Sequence, residues 1–274
     1  MSYQVHLLRP LASGGNADVQ LGQRSDTGAY VVVKYLREWH LDHARKGFAR
    51  EVRILDQNLP GMIQVLFSDV KTERPYYVMP YLAGGSLTKH AGRLSGQQLL
   101  AVANASARSL AALHARHIDH GDFKPDNILI TEEGNLQLAD PLGNGFGCTV
   151  LFAQNHGGTP GYWAPEIRAG GSISHAGDAY SYGATLYHLR TARKPVDGQR
   201  LDLLARGLTG TPEICETIAA CCQLNPGDRP SMQEVLRLLA GVSWADVKAE
   251  LKKQRVTTLC AVGLFALVLL AVSK

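Results

Sequence analysis

The first third of the sequence alternates short apolar runs with Gly, Asn and Asp, a pattern typical of antiparallel strands joined by tight turns. The clearest strand covers residues 30–36, and strand composition returns at 62–70 and 76–82. Between these runs, Phe48, Val52 and Leu55 share one helical face,. We therefore predict an antiparallel sheet with one embedded helix.

After residues 83–85 the composition changes, and residues 94–114 become rich in Ala, Leu, Gln and Ser,. An apolar stripe in this segment joins Leu99, Val102, Ala103, Leu110 and Leu113,. Further helices are predicted at 178–189, 213–222 and 231–239, the last ending near a glycine at 241,. The second part is therefore helical, and the fold class is α+β.

The C-terminal stretch 256–272 contains no charged residue. Its length of about 17 residues is near the lower limit for a transmembrane helix. A buried core helix is the alternative, but such a helix usually has a polar face. Lys252, Lys253 and Arg255 precede the stretch, so residues 243–255 form a basic juxtamembrane segment. The excess of positive charge on this side predicts that the N-terminal part is cytoplasmic.

Composition narrows the function classes for the rest of the 274-residue chain. The net charge of +4 comes from scattered basic residues, which argues against nucleic acid as a partner,. The N-terminus lacks the basic and apolar regions of a signal peptide. The five cysteines show neither disulfide-framework density nor zinc-ligand spacing, and they stand at Cys148, Cys215, Cys221, Cys222 and Cys260.

The chemistry concentrates between residues 120 and 140, in His-Gly-Asp-Phe-Lys-Pro-Asp-Asn followed by strand-like runs and a final Asp. Phosphoryl transfer to a hydroxyl needs a carboxylate for the acceptor, oxygen ligands for a metal ion and a cation on the phosphoryl group. Asp122 supplies the first, Asn127 and Asp140 supply the second, and Lys124 supplies the third. In residue order and spacing this stretch resembles the catalytic loop and metal-binding Asp of the protein kinase family.

The resemblance implies a bilobal fold, with an N-lobe at 1–82, a C-lobe at 83–242 and the transmembrane helix at 256–272. It also implies ATP and Mg²⁺ (or Mn²⁺) as cofactors. Lys34 stands where the family places the strand lysine that pairs with the phosphates, and Glu51 stands where its helix partner is expected. The implied ATP-binding residues are Leu11, Ala12, Gly14, Val19, Val32, Lys34, Glu51, Met79, Pro80 and Leu82.

The glycine-rich loop and the hinge both differ from the usual family sequence. The glycine-rich loop keeps only Gly14, because Ala12 and Ala17 stand in place of the outer glycines, and we expect a looser lid. At the hinge, Pro80 lacks an N–H but keeps its carbonyl, and Leu82 keeps the N–H that adenine would need.

Downstream motifs extend the resemblance to about residue 241. The run 158–166 resembles the end of a kinase activation segment, and 178–183 resembles the helix that anchors the catalytic loop. Glu166 is expected to pair with Arg229 as a structural ion pair. Thr159, followed by Pro and Gly, resembles the serine/threonine-specific version, and Thr149 and Thr159 are candidate autophosphorylation sites.

The catalytic loop and the metal-binding motif each depart from the family pattern. Gly121 replaces the arginine that reads a phosphorylated activation segment, so we expect activity to depend little on that phosphate. Pro141 and Leu142 follow Asp140, and the proline is expected to restrict Asp140 to extended geometry.

Three functions remain in competition at this stage. The first is a serine/threonine protein kinase at a membrane, the inner membrane if the host is bacterial, with protein substrates, membrane lipid and a cognate phosphatase as partners. The second is a nucleotide-binding pseudokinase scaffold, which the departures at Gly121 and Pro141 favour. The third is a small-molecule phosphotransferase, which His-Gly-Asp favours and the Ala-Pro-Glu and Asp-Arg-Pro motifs disfavour.

Overall fold

The computed structural model describes residues 4–13, 17–143, 160–243, 245–247 and 249. The N-terminal part is a five-stranded antiparallel sheet in the order β1-β2-β3-β5-β4. Its elements are β1 (Val5–Ser13), β2 (Ala17–Arg24), β3 (Tyr30–Leu36), α1 (Asp42–Leu55), β4 (Phe67–Asp69) and β5 (Tyr76–Pro80). The predicted strand at 30–36 and the embedded helix are confirmed.

The alternation of side chains along β3 decides which face of the sheet carries the chemistry. Val31 and Val33 pack with Val78 into a small cluster on one face. Val32 and Lys34 lie on the other face, since successive strand residues point to opposite sides. Val32 joins the main hydrophobic core, to which α1 contributes Phe48 among other residues. Lys34 therefore lies on the face that α1 covers.

The C-terminal part is mainly helical. Its elements are α2 (Gly96–His114), β6 (Ile128–Ile130), β7 (Leu136–Leu138), α3 (Pro165–Arg168), α4 (His175–Thr191), α5 (Leu201–Ala205), α6 (Pro212–Cys221) and α7 (Met232–Leu239). Capping boxes begin two helices: Ser95 with Gln98 at α2, and Ser231 with Glu234 at α7,. Helix α4 is buried from residue 177 to residue 189 and forms the centre of this part.

One hydrophobic core joins the two parts, from Val32 and Met79 in the sheet to Leu99 and Tyr182 in the helices. The two-lobed α+β prediction is confirmed for the strand-rich and helical parts. The predicted strand at 62–70 is too long, because only Phe67–Asp69 pairs with β5. Its first residue, Met62, instead forms an isolated bridge with Leu138 of β7, and so ties the N-terminal part to the second sheet.

The predicted transmembrane segment, 256–272, lies outside the described residues. Among the residues that the structure does describe, no helix combines the length and apolar character needed to cross a membrane.

Candidate active site

The site begins with a buried lysine held between two carboxylates. Lys34 Nζ lies 2.7 Å from Glu51 Oε1 and 2.8 Å from Asp140 Oδ1. The side chains of Lys34 and Glu51 are 10% and 13% exposed, whereas that of Asp140 is 39% exposed. Strand β3, helix α1 and the segment after β7 therefore meet at one ammonium group, with Asp140 on its solvent side.

Burial and pairing shift the ionisation of these three groups. Burial alone would lower the pKa of Lys34, but the carboxylates of Asp140 and Glu51 outweigh it and raise that pKa above its usual range,. Burial raises the pKa of Glu51 above its ordinary value. Burial acts in the same direction on Asp140, but Lys34 reverses the effect and lowers the pKa of that carboxyl. Asp140 therefore remains an anion at neutral pH.

A second cluster lies in the loop between α2 and β6. Lys124 Nζ is 2.6 Å from Asp122 Oδ2. The side-chain amide of Asn127 donates to the backbone oxygen of Asp122 at 2.8 Å and to its Oδ2 at 3.0 Å. The amide nitrogen makes both of these hydrogen bonds, which leaves the lone pairs of the Asn127 side-chain oxygen for a metal ion. Oxygen atoms are the ligands that Mg²⁺ prefers.

Backbone hydrogen bonds join the two clusters. The amide of Ala139, next to Asp140, donates to the Asn127 carbonyl at 2.9 Å, and the amide of Leu142 donates to the His120 carbonyl at 2.7 Å. The segment that carries Asp140 is therefore fastened on both sides to the loop that carries Asp122. The arrangement brings two oxygen donors, two ammonium groups and a carboxylate base together.

Asp178 of α4 binds the backbone at the start of the loop that carries Asp122. Its two carboxylate oxygens accept from the backbone amides of His120 at 2.7 Å and Gly121 at 2.8 Å. Its Oδ2 also lies 2.9 Å from Nε2 of His114, at the end of α2. Asp178 is 1% exposed, so helix α4, which is buried from residue 177 to residue 189, positions the loop through a desolvated carboxylate.

Beside Asp178, two histidines and another buried carboxylate form a cluster. Ligand-capable atoms of His114, Asp119 and His175 lie within 4.8 Å of one another, and His175 Nδ1 is hydrogen-bonded to Asp119 Oδ1. The two imidazole rings are stacked, with centroids 4.0 Å apart and planes 9° apart. Lone pairs in parallel, stacked planes do not converge on one ion. This geometry suits two histidine–carboxylate hydrogen bonds that tie the loop to α2 and α4.

The conformation of Asp140 corrects one prediction. The following proline was expected to keep Asp140 extended, but its φ is +58°, in the left-handed region. The ion pair with Lys34 and the backbone bonds of Ala139 and Leu142 fix the chain on both sides of this residue. These contacts override the local preference that a proline imposes on the residue before it.

Most of the predicted nucleotide-contacting residues lie in β1, β2, β3 and β5. Val19 and Lys34 are directly opposite in the β2–β3 register, and Val32 is opposite Met79 in the β3–β5 register. Leu11, Val19 and Leu82 are partly buried against the main core. Ala12 lies in β1 opposite Val19, and Pro80 ends β5. Gly14, Thr149 and Thr159 lie outside the described residues.

Glu166 and Arg229 form an ion pair with two hydrogen bonds, at 2.7 and 2.8 Å. The remaining guanidinium donors reach the carbonyls of Gln223, Ala176 and Leu224. All five N–H groups of Arg229 are thus satisfied although its side chain is 0% exposed,. The pair fastens α3 to the turn before α7.

A family model described as the protein kinase domain matches residues 5–238. The chain belongs to the protein kinase domain family. Membership implies the use of ATP and a divalent metal ion. The family model covers both lobes and every predicted site residue, including those at the hinge and in the activation segment.

Several bacterial relatives of this kinase domain are named as serine/threonine kinases. The chain is 32% identical over 208 residues to the "DNA damage-responsive serine/threonine-protein kinase RqkA" of Deinococcus radiodurans, which is 70% of this chain and 30% of that protein. It is 34% identical over 224 residues to "Serine/threonine-protein kinase Pkn1" of Myxococcus xanthus, covering 75% and 32%. It is 31% identical over 255 residues to the "Probable serine/threonine-protein kinase PkwA" of Thermomonospora curvata, which is 85% of this chain and 33% of that protein. The chain therefore spans about a third of the length of these relatives.

Sequence reasoning missed four residues that the kinase structure places in or beside the site. Tyr77 donates a hydrogen bond to Glu51, although in the sequence it is one of several aromatic residues in a strand. His114, Asp119 and His175 belong to distant segments, and nothing in one sequence indicates that they meet.

Proposed function

We propose that this chain is a serine/threonine protein kinase that transfers the γ-phosphoryl group of ATP to hydroxyl groups of proteins. The observation that carries the proposal is the joining of the Lys34–Glu51–Asp140 cluster to the Asp122–Lys124–Asn127 cluster by backbone hydrogen bonds. A scaffold that only binds nucleotide does not need a carboxylate base held beside the metal-binding groups. Here the base, the cations and the oxygen donors are all present and held together.

Each group has a role that follows from its chemistry. Lys34 pairs with the nucleotide phosphates, and Glu51 fixes its ammonium group. The oxygens of Asn127 and Asp140 would hold the divalent ion, for which we propose Mg²⁺ (or Mn²⁺), and this ion would neutralise phosphate charge. Asp122 orients the acceptor hydroxyl and accepts its proton. Lys124, 2.6 Å from Asp122, places a positive charge where the phosphoryl group transfers.

The proposed acceptors are serine and threonine. Thr159, Pro160 and Gly161 match the serine/threonine-specific form of the activation segment, and the named relatives act in that class. Thr149 and Thr159 are the proposed sites of autophosphorylation.

A transfer assay tests the proposal. The full chain, in detergent, is incubated with γ-labelled ATP, Mg²⁺ and a generic protein substrate, beside the variants Asp122→Asn and Lys34→Met. We expect labelled protein from the wild type and a loss of about a hundredfold or more in each variant. Asp26→Asn and Lys46→Met are matched controls, because each residue belongs to an exposed surface ion pair and to neither catalytic cluster.

Two outcomes would overturn the proposal. Stabilisation by nucleotide without transfer to protein indicates the scaffold. Transfer only to an amino sugar or an alcohol indicates the small-molecule phosphotransferase.

We also propose that the kinase is held at a membrane by residues 256–272, with its catalytic part in the cytoplasm. The support is the absence of charge across this stretch and the basic residues Lys252, Lys253 and Arg255 before it,.

A further inference from the structure

Tyr77 places a phenol against the carboxylate of the Lys34–Glu51 pair. Its hydroxyl donates to Glu51 Oε1 at 2.7 Å, the same oxygen that Lys34 Nζ approaches at 2.7 Å. Tyr77 is 0% exposed. Burial and the nearby Glu51 raise the pKa of the phenol well above its ordinary value, so the hydroxyl keeps its proton and remains a donor.

The strand register explains why the phenol reaches this point. Tyr77 of β5 is directly opposite Lys34 of β3, and directly opposed residues of antiparallel strands project to the same face. The Tyr77 ring also packs against Phe48 of α1, with centroids 5.4 Å apart. Phe48 and Glu51 are three residues apart and therefore neighbours on one helical face. Tyr77 thus contacts α1 at two adjacent positions, one apolar and one charged.

We infer that Tyr77 is a positioning residue, whose hydroxyl holds Glu51, and through it Lys34, in the arrangement that binds phosphate. The inference rests on the proposed function. A phenylalanine would fill the same space and keep the Phe48 contact, so packing alone does not require the hydroxyl. Within the described residues, Glu51 is the acceptor found for that hydroxyl.

The same contact gives α1 a preferred position. If α1 moved away from the sheet, the Tyr77 hydroxyl would be left buried without an acceptor, which is costly. Leu41, at the start of α1, provides no side-chain cap, and Arg45 ties this end of the helix to the carbonyls of Thr72 and Glu73. The phenol therefore penalises displacement of α1 by a contact within the N-lobe, and this contact requires no phosphate on the activation segment.

The test compares Tyr77→Phe with the wild-type full chain in kcat/KM for ATP. We expect a fall of about tenfold, the effect of losing one hydrogen bond to a charged group. The matched control is Tyr182→Phe, which removes another fully buried phenol whose hydroxyl donates to the Ala103 carbonyl at 2.8 Å. Tyr182→Phe is expected to lower thermal stability and to leave kcat/KM within about twofold.

A double-mutant cycle separates positioning from a structural role. If the hydroxyl acts through Glu51, adding Tyr77→Phe to Glu51→Met, which removes the acceptor, causes little further loss. Additive losses in the cycle, or an equal loss in Tyr182→Phe, would overturn the inference.

The affinity for Mg·ATP, measured by calorimetry on the same proteins, keeps this inference distinct from the proposed function. Absence of transfer by the wild type would defeat the proposed function alone. In that case, weaker Mg·ATP binding by Tyr77→Phe than by Tyr182→Phe would still support the role of Tyr77, and equal binding would overturn it.

Discussion

The backbone conformation and packing at Gly121 determine which residue types this position of the catalytic loop can hold. Its φ is +78°, in the left-handed region, which glycine adopts without strain. A Cβ at this position would lie 2.9 Å from Cδ1 of Ile173 and 3.2 Å from Cβ of Leu142. The loop is therefore packed closely where the family pattern has an arginine, and apolar contacts replace a phosphate-reading charge.

Replacing Gly121 by arginine should destabilise the kinase and should not create a response to activation-segment phosphate. The matched control is Gly134→Arg, because Gly134 has φ +83° and a Cβ added there would meet nothing within 4 Å among the described residues. Both variants share the backbone strain, and overpacking adds about 1–3 kcal/mol at Gly121 only. Urea unfolding measures the difference, and equal stability losses would show that the packing at Gly121 is unimportant.

The acid side of the pH–rate profile should reflect Asp122. Burial raises the pKa of this carboxyl above its usual range, and Lys124 partly opposes the effect. A base with a raised pKa is protonated at higher pH, so kcat should fall on acidification at a pH above the value of about 3.9 for a free Asp.

Removing the Lys124 charge should move the acid side of the kcat–pH profile to still higher pH. The measurement is the profile of wild type and Lys124→Met at saturating Mg·ATP. A limb that stays in place or moves to lower pH in the variant would contradict the assigned role of Asp122.

At the scale of elements, buried charged side chains, one in an ion pair and one bonded to backbone amides, fasten the short segments around α4. Arg229 joins the turn before α7 to Glu166 of α3, and Asp178 joins α4 to the catalytic loop. Such pairs contribute through the cost of stranding one partner, not through a large net attraction. They fix the positions of loops that have little regular structure of their own.

Arg229→Met should lower the free energy of unfolding by about 3–5 kcal/mol, because Glu166 and three carbonyls lose their donors. The surface variant Lys46→Met, from a pair with side chains 72% and 80% exposed, should cost about 1 kcal/mol or less. Both are measured by urea unfolding. The double variant Glu166→Gln/Arg229→Met should lose less than the sum of its single changes, and strict additivity would argue against the coupling.

At the scale of the whole molecule, the catalytic groups come from both lobes, which share one hydrophobic core. Lys34 and Glu51 belong to the sheet and α1, whereas Asp122, Asn127 and Asp140 belong to the helical part. The membrane segment proposed at 256–272 would confine this assembly to a surface and so raise its encounter rate with substrates held there.

Flotation with phospholipid vesicles tests the membrane proposal. The wild-type full chain should float with the lipid, and Leu264→Arg should float less, since a central arginine costs about 2.5–3.5 kcal/mol on insertion. Val196→Arg, an exposed substitution in the helical lobe, is the control and should behave as the wild type. Equal flotation of Leu264→Arg, or none by the wild type, would contradict the anchor.

Residue spacing along the chain was enough to predict individual strands and helices. The valine-rich strand β3, the apolar stripe of α2 and the capped helix α7 could all be predicted from spacing. The site required the family resemblance, because Lys34 and Asp140 meet across 106 residues. Tyr77 could not be found, since its role depends on the β3–β5 register. The Asp140 prediction failed because tertiary contacts outweighed the local effect of Pro141.

The rate of phosphoryl transfer by the dephosphorylated kinase tests the central claim most directly. The full chain is treated with phosphatase, which is then removed, and the initial rate is measured with γ-labelled ATP, Mg²⁺ and a protein substrate, followed by phosphoamino-acid analysis. We predict label on serine and threonine at a rate within about threefold of the untreated kinase and a loss of about a hundredfold or more in Asp122→Asn. Loss of nearly all activity on dephosphorylation, or equal label from Asp122→Asn, would contradict this account.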